Sequence, residues 1–184
     1  MMNWEELQKS CNSCTKCGLC RTRKNVVFGV GNQNADIMFV GEGPGEQEDL
    51  QGIPFVGAAG KLLDDMLSII DIDRTNCYIA NIVKCRPPRN RDPEEMEQEA
   101  CIDYLFRQIE LVNPKVIICL GRVAAKRLIH QDFRITREHG MWTNRNGIWM
   151  SAIYHPSALL RDLSKRPETF DDLLAIREKL KQLK

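Results

Sequence analysis

The pattern of hydrophobic and polar positions predicts a chain in which strands and helices alternate. Four short apolar runs predict buried strands, at 36–40, 77–80, 115–120 and 149–154. Apolar side chains at helical spacing and terminal signals predict helices, at 58–70, 92–112, 122–129 and 168–183. Asp92 is predicted to cap its helix, because Pro93 follows it at the first helical position. The alternation predicts an α/β fold, a three-layer α/β/α sandwich with a mainly parallel four-stranded central sheet, formed as one domain by residues 1–184.

Polar residues stand at the carboxyl ends of the predicted strands. The loop 42–49 follows the first strand, Asn81 ends the second, and His155 follows the fourth. Because ligands of parallel sheets bind at this edge, we expect these three segments to meet in one site. Taken singly, an Asn at a strand end is equally typical of a turn-forming residue, and a His before Pro is usually a structural residue.

Composition and charge describe a globular chain and exclude few partners. Of the 184 residues, 43% are hydrophobic and 28% are charged, and the longest apolar run (116–120) is too short to span a membrane. The N-terminus lacks a signal-peptide pattern, so we expect no membrane partner. The net charge of +1 gives no argument for nucleic acid. Basic residues concentrate at 9–24, 84–91 and 161–166, which indicates either an anion-binding face or scattered surface charge.

Eight cysteines are the strongest signal in the composition. Without a secretion signal they favour a reducing compartment, and we predict a cytoplasmic location. Four form a ladder with two residues between neighbours, at Cys11, Cys14, Cys17 and Cys20. Any adjacent pair of the ladder could join Cys85 and Cys101 around zinc or an iron–sulfur cluster, and free thiols remain the alternative. Cys77 and Cys119 lie in or beside apolar runs and are predicted to be buried.

Three segments carry a resemblance to a known family: GEGPGEQED, IANIVKCRPPRNRDPEE and HPSALLR. With the cysteine spacing, they resemble in content and order the family 4 uracil-DNA glycosylases, the iron–sulfur branch of their superfamily. The resemblance runs from Cys14 to Arg161. It implies hydrolysis of the N-glycosidic bond of uracil in single- or double-stranded DNA, releasing free uracil and leaving an abasic site for base excision repair. It also implies a structural [4Fe-4S] cluster with four ligands, Cys14, Cys17, Cys85 and Cys101.

The same resemblance implies a uracil-binding set, Glu42, Gly43, Glu48, Phe55, Asn81 and His155. In this set Phe55 stacks on the base, and the amide of Asn81 reads the edge that distinguishes uracil from cytosine. Glu48 excludes the methyl group of thymine. The backbone N–H of Gly43 approaches the base.

Catalytic roles are implied for His155, Asn81 and Glu42. His155 donates to O2 of uracil as negative charge builds on the leaving base. Family 1 enzymes have an Asp in the first motif where this chain has Gly43, so water activation is assigned here to Glu42, which precedes it.

The DNA contacts implied are Leu159, Arg161 and Arg86. Leu159 would fill the gap left by the flipped nucleotide, with Leu160 as the alternative, and the arginines would contact phosphates. We expect a monomer whose partner is uracil-containing DNA. The alternatives are a non-catalytic zinc or iron–sulfur module and a protein that traps uracil-DNA covalently. A related branch does the latter with a His in a loop after the third cysteine, but residues 86–91 contain none.

Overall fold

The computed structural model describes residues 2–184, which form one six-stranded sheet with helices on both faces. The strands are β1 (Val30–Gly31), β2 (Ile37–Gly41), β3 (Tyr78–Asn81), β4 (Val116–Leu120), β5 (Thr143–Arg145) and β6 (Ile148–Ile153). The helices are α1 (Trp4–Asn12), α2 (Glu46–Gln51), α3 (Ala58–Ile69), α4 (Glu95–Val112), α5 (Arg122–Leu128), α6 (Ile135–Glu138), α7 (Pro156–Arg161) and α8 (Arg166–Gln182). None of the described helices is both long enough and apolar enough to cross a bilayer.

The strand order is β1-β3-β2-β4-β6-β5. The four central strands are parallel, as predicted, and Phe39 of β2 pairs with Ile79 of β3 and with Ile118 of β4. The edge strands β1 and β5 run antiparallel to their neighbours and were not predicted. Both are short and exposed, so neither shows the apolar run that identifies a buried strand.

Apolar side chains alternate along the central strands and fill two separate cores. On one face, Met38 and Val40 of β2 pack in a cluster with residues of α1, α4 and α5. On the other face, Ile37 and Phe39 pack with residues of α3, α7 and α8. Because successive side chains of a strand point to opposite faces, a strand buried on both faces is apolar at every position. This arrangement confirms the predicted α/β/α sandwich.

Helix α4 begins later than predicted, so the assignment of Asp92 as its N-cap is wrong. The helix starts at Glu95, and the carboxylate of Glu97 accepts a hydrogen bond from the backbone N–H of Glu94 over 2.8 Å. Arg91 holds the same carboxylate through two hydrogen bonds of 2.7 and 2.8 Å. Glu94 therefore occupies the capping position, and Asp92 lies in the loop before the helix.

The chain connections place a crevice beside β2. Helix α3 leads from β2 to β3 on one face, and α4 then crosses on the other face to β4, which lies on the opposite side of β2. Such a reversal of direction opens space at the carboxyl ends of the strands. The loops that follow β2, β3, β4 and β6 all surround this edge.

Candidate active site

A pocket of about 480 Å³ lies at the carboxyl edge of the sheet. This volume falls in the range usual for small-molecule sites. The pocket brings together all six residues of the predicted uracil-binding set, Glu42, Gly43, Glu48, Phe55, Asn81 and His155. The expectation that three distant segments meet at this edge is confirmed.

Asn81 contributes an unpaired hydrogen-bond acceptor to the pocket. It is the last residue of β3, its side chain is 1% exposed, and its Oδ1 has no hydrogen-bond partner. A buried amide oxygen without a partner is costly, so this atom is suited to a ligand that brings an N–H donor. Gly41 makes room for it, because a Cβ at Gly41 would collide with Asn81 Oδ1 and with the ring of Phe55.

Phe55 is held in a strained loop next to His155. Its backbone is left-handed, with φ of 53°, which is uncommon for a bulky residue. Arg74 holds this conformation by donating to the carbonyl oxygens of Phe55 and Pro54, both over 2.7 Å. The ring centroids of Phe55 and His155 lie 5.6 Å apart, and the two ring planes are inclined to each other by 31°. The loop therefore presents the Phe55 ring to the pocket in a fixed position.

His155 is neutral and has a defined tautomer. It is the N-cap of α7, and its Nδ1 accepts a hydrogen bond from the backbone N–H of Ser157 over 3.1 Å. The single proton of the neutral ring is therefore on Nε2. Burial is the main reason that the pKa of His155 falls to about 4, and the positive charge of Arg161 lowers it further. At neutral pH His155 is a donor without charge.

Glu48 is tied to the loop that carries Phe55. Its Oε1 accepts hydrogen bonds from the backbone N–H groups of Val56 and Gly57, over 3.0 and 3.1 Å. Gly57 is the N-cap of α3, so the carboxylate also satisfies an otherwise free donor at a helix start. Glu48 thus forms a rigid wall of the pocket.

Glu42 stands beside a second carboxylate that the sequence analysis missed. Burial, followed by the nearby Asp92 carboxylate, raises the pKa of Glu42 to about 7, and Arg122 opposes that rise. Asp92 in turn forms an ion pair with Arg122 at the rim of the pocket. In the sequence, Asp92 follows Arg89 and Arg91 and stands directly before Pro93, a position typical of a helix cap. The sequence analysis therefore did not assign Asp92 to the site.

Of the residues predicted to contact DNA, only some lie at the surface where that prediction requires them. Arg161 is exposed and lines the pocket. Arg86 is half-buried and donates through Nε to Oδ1 of Asn90 over 2.7 Å, so it supports the loop 86–91. The choice of Leu159 as the inserted residue is corrected, because Leu159 is 2% exposed and packs in the core. Leu160 is 43% exposed.

A second cavity, beside the sheet, is lined by Cys11, Cys14, Cys17, Cys20, Cys85 and Cys101. The backbone N–H of Lys84 donates to Cys101 Sγ and the Arg23 guanidinium donates to Cys85 Sγ, both over 3.3 Å. Thiols gathered in one cavity, with N–H donors directed at two sulfurs, fit an iron–sulfur cluster. Among residues 2–184, no three His, Cys, Asp or Glu side chains converge to hold a single metal ion.

The two remaining cysteines are core residues, as predicted. Cys77 and Cys119 are fully buried. Burial raises the pKa of the Cys77 thiol to about 12 and raises the pKa of Cys119 as well. Both thiols therefore stay protonated and act as small apolar side chains.

The fold and the pocket define an α/β protein with a polar ligand site at the carboxyl ends of its parallel strands. The sequence profile of the Uracil DNA glycosylase superfamily matches residues 28–181. The type-4 uracil-DNA glycosylase of Archaeoglobus fulgidus is 46% identical to this chain, over 97% of this chain and 94% of the relative. The enzyme of the same name from Thermotoga maritima is 45% identical, over 87% of this chain and 84% of the relative. The enzyme of the same name from Pyrobaculum aerophilum is 41% identical, over 94% of this chain and 92% of the relative. The chain belongs to the type-4 branch of the uracil-DNA glycosylase superfamily.

Proposed function

We propose that the chain hydrolyses the N-glycosidic bond between uracil and deoxyribose in single- or double-stranded DNA. The products are free uracil and an abasic site. A base that is stacked and paired within a duplex cannot enter a pocket, so the nucleotide must be flipped out or already unpaired. The observation that carries the proposal is the unpaired oxygen of Asn81, together with the type-4 relatives that cover nearly the whole chain.

Asn81 supports a preference for uracil over cytosine. Uracil carries an N3–H donor next to its O4 acceptor, and an Asn side chain offers one acceptor and two donors. Oδ1 of Asn81 would accept from N3–H while its Nδ2 donates to O4. Cytosine has an acceptor at N3 and an amino group beside it, so its binding would leave buried polar groups unpaired.

His155 supports departure of the base. As the glycosidic bond breaks, negative charge develops on uracil and is shared with O2. The Nε2–H of neutral His155 would donate to O2, and a preorganised donor of this kind stabilises the transition state more than the ground state. Because Ser157 fixes the tautomer, the proton is held on the nitrogen that faces away from α7.

Glu48 of α2 and Phe55 in the loop after it support recognition of the flat base and rejection of thymine. Phe55 would stack on the ring, and its fixed backbone makes the slot a rigid one. Glu48 would pack against C5 of the base, where thymine carries a methyl group. Since Glu48 is anchored to two backbone N–H groups, it would not yield to the methyl group.

Glu42 supports stabilisation of the deoxyribose during the reaction. When the base leaves, positive charge develops on the deoxyribose, and an ionised carboxylate nearby would stabilise it and hold the attacking water. A Cβ at Gly43 would collide with the side chain of Val83, and the backbone N–H of Gly43 would approach the base. Arg161, at the rim of the pocket, would contact a phosphate of the DNA.

A [4Fe-4S] cluster held by Cys14, Cys17, Cys85 and Cys101 forms part of the proposal. The cluster would supply a structural link rather than electrons, since hydrolysis transfers none. Cys14 and Cys17 lie in the segment after α1, Cys85 follows β3, and Cys101 lies in α4. These four residues would fasten the N-terminal segment to the sheet and to α4.

The test is release of free uracil from oligonucleotides that contain one uracil, cytosine or thymine. We expect release from the uracil substrate alone, in both single and double strands. Asn81→Ala and His155→Ala should each lower the single-turnover rate by about a hundredfold or more without changing the circular dichroism spectrum. His130→Ala is the matched control, because His130 is exposed and outside the pocket.

Three outcomes would contradict this proposal. Absence of free uracil from every substrate would remove the glycosylase activity. A stable protein–DNA adduct on a denaturing gel would favour covalent trapping instead. A rate for His155→Ala equal to that of the control would remove the role of His155.

A further inference from the structure

Lys84 occupies a place in which lysine is rarely found. It lies between β3 and α4, and its side chain is 1% exposed. Its Nζ donates a hydrogen bond to Oε1 of Gln108 over 2.6 Å. Gln108 is also fully buried, and its Nε2 donates to the carbonyl oxygen of Phe28 and to the hydroxyl of Tyr78, over 2.9 and 3.0 Å. The ammonium group therefore has a neutral partner whose orientation is fixed.

A buried ammonium group requires negative charge nearby, because it has lost its hydration. No Asp or Glu among residues 2–184 forms an ion pair with Lys84. Among the groups able to carry negative charge, the sulfurs of Cys101 and Cys11 are near Lys84, and the backbone N–H of Lys84 donates to Cys101 Sγ over 3.3 Å. Both belong to the cysteine-lined cavity, and Lys84 also lines that cavity. The charge of Lys84 thus lies beside the cysteine-lined cavity.

Arg23 places a second cation at the same cavity. One Nη of its guanidinium donates to the carbonyl oxygen of Cys14 over 2.8 Å and to Cys85 Sγ over 3.3 Å. Its side chain is half-buried, so water screens its charge less than that of an exposed arginine. Lys84 and Arg23 therefore bring two cations to the residues proposed to bind the cluster.

We propose that Lys84 and Arg23 are the counter-charges of the cluster, which retain it in the protein and set its reduction potential. The inference rests on the proposed cluster at Cys14, Cys17, Cys85 and Cys101. Four thiolates outweigh the positive charge of the iron–sulfur core, so the bound group is an anion in a partly buried site. The two cations lower the energy of that anion, and they do so more strongly for the reduced form, which carries one more negative charge.

Two neutral replacements of Lys84 separate its charge from its packing. Lys84→Gln removes the charge but keeps a donor for Gln108, whereas Lys84→Met removes the charge and the donor. Arg23→Gln is a third variant. Arg23 is half-buried, so its position tolerates a substitution better than the buried position of Lys84. Lys16→Met is the matched control, because Lys16 lines the same cavity but is exposed to water.

The measurements are iron content, the rate at which a chelator bleaches the cluster absorbance, and the midpoint potential from a reductive titration. We expect Lys84→Gln and Lys84→Met to lose the cluster about 10–100-fold faster than wild type, a range taken from the affinity that metal sites lose when residues around their ligands are changed. Their midpoint potentials should be more negative than that of wild type, with a shift in the same direction for Arg23→Gln. Lys16→Met should match wild type in all three measurements.

The outcomes distinguish this inference from the proposed function. Wild-type potential and bleaching rate in Lys84→Gln, Lys84→Met and Arg23→Gln would overturn the inference alone. A shift in Lys84→Met only, with Lys84→Gln like wild type, would also overturn it, because the lost hydrogen bond would then be the cause. Wild-type protein without iron would overturn the proposed cluster and the inference with it. Uracil release from the same wild-type sample reports separately on the glycosylase activity.

Discussion

At the scale of single residues, the charge of Glu42 depends strongly on the groups around it. Burial and the carboxylate of Asp92 raise the pKa of Glu42 to about 7. Because this pKa lies above the ordinary value of 4.5 for a Glu side chain, the protonated form of Glu42 favours the folded state. That contribution to stability is fully present below about pH 4.5 and is lost as the pH rises through about 7.

The pH dependence of uracil release tests the role of Glu42. If the ionised form assists the reaction, the single-turnover rate should rise with pH along a limb centred near 7. Asp92→Asn removes the like charge beside Glu42, so the limb should move to lower pH. Glu42→Gln should lower the rate and remove the limb. His155 should add no second limb in the neutral range, since its pKa is about 4.

Glu46→Gln is the control for these profiles. Glu46 is an exposed acid at the start of α2 that does not line the pocket, so its neutralisation should leave the limb unchanged. A limb in Asp92→Asn at the wild-type position would contradict the coupling of the two carboxyl groups.

At the scale of elements, α7 presents its two leucines in opposite directions. Leu159 packs in the apolar cluster between the sheet and helices α3 and α8. Leu160 is exposed, next to Arg161 at the pocket. The sequence HPSALLR places both leucines after His155, and only the direction of each side chain shows which of them is free to contact DNA.

Replacing each of the two leucines by Ala should therefore have a different effect on stability and on uracil release. Leu159→Ala should lower the free energy of unfolding by about 2–5 kcal/mol, because it leaves a cavity in the core. Leu160→Ala should change stability by no more than about 0.5 kcal/mol. It should slow uracil release from double strands more than from single strands, because only a duplex leaves a gap to fill. Thermal melting and single-turnover rates are measured for both variants. Equal melting temperatures would contradict the assignment of Leu159 to the core and of Leu160 to the surface.

Among the elements, the long apolar ones could be predicted from sequence and the short ones could not. The four parallel strands, α3 and the end of α4 followed from apolar spacing. The start of α4 did not, because Asp92-Pro93 and Glu94 with Glu97 are both plausible caps, and the structure uses the second, with the Glu97 carboxylate accepting from the backbone N–H of Glu94. The edge strands and the four-residue α6 carry too few buried positions to give a periodic signal.

At the scale of the whole molecule, the cysteine-lined cavity joins segments that are distant in the chain. It lies where the segment after α1, the end of β3 and the middle of α4 meet. The cluster would therefore contribute to global stability as well as to local order. The sequence indicated four thiolates, and the resemblance selected them. The contacts of Lys84 with Gln108 and Cys101 could not be predicted, because they depend on how α4 packs against the sheet.

Paired cysteine substitutions test this link. Cys101→Ala should abolish the colour and iron of the protein and lower its melting temperature, whereas Cys119→Ala should keep the iron, since Cys119 lies in β4 away from the cavity. Within the ladder, Cys17→Ala should lose iron and Cys20→Ala should retain it. Full iron in Cys101→Ala or Cys17→Ala would remove that residue from the proposed ligands.

The polar edge of the sheet was the part of the site that sequence reasoning placed best. Asn81 and His155 follow strands, and parallel strands bring their carboxyl ends together. The neutral state of His155 arises from its burial, the hold of Glu48 on the Phe55 loop from hydrogen bonds across eight and nine residues, and the approach of Asp92 to Glu42 from a contact between distant segments. No local pattern in the sequence encodes them.

The most direct test of the account is a crystal structure of the protein soaked with free uracil. The account predicts that uracil stacks on Phe55, with its N3–H donating to Asn81 Oδ1 and its O2 accepting from His155 Nε2. Uracil bound outside the pocket, or an Asn81 side chain turned away from the base, would contradict it.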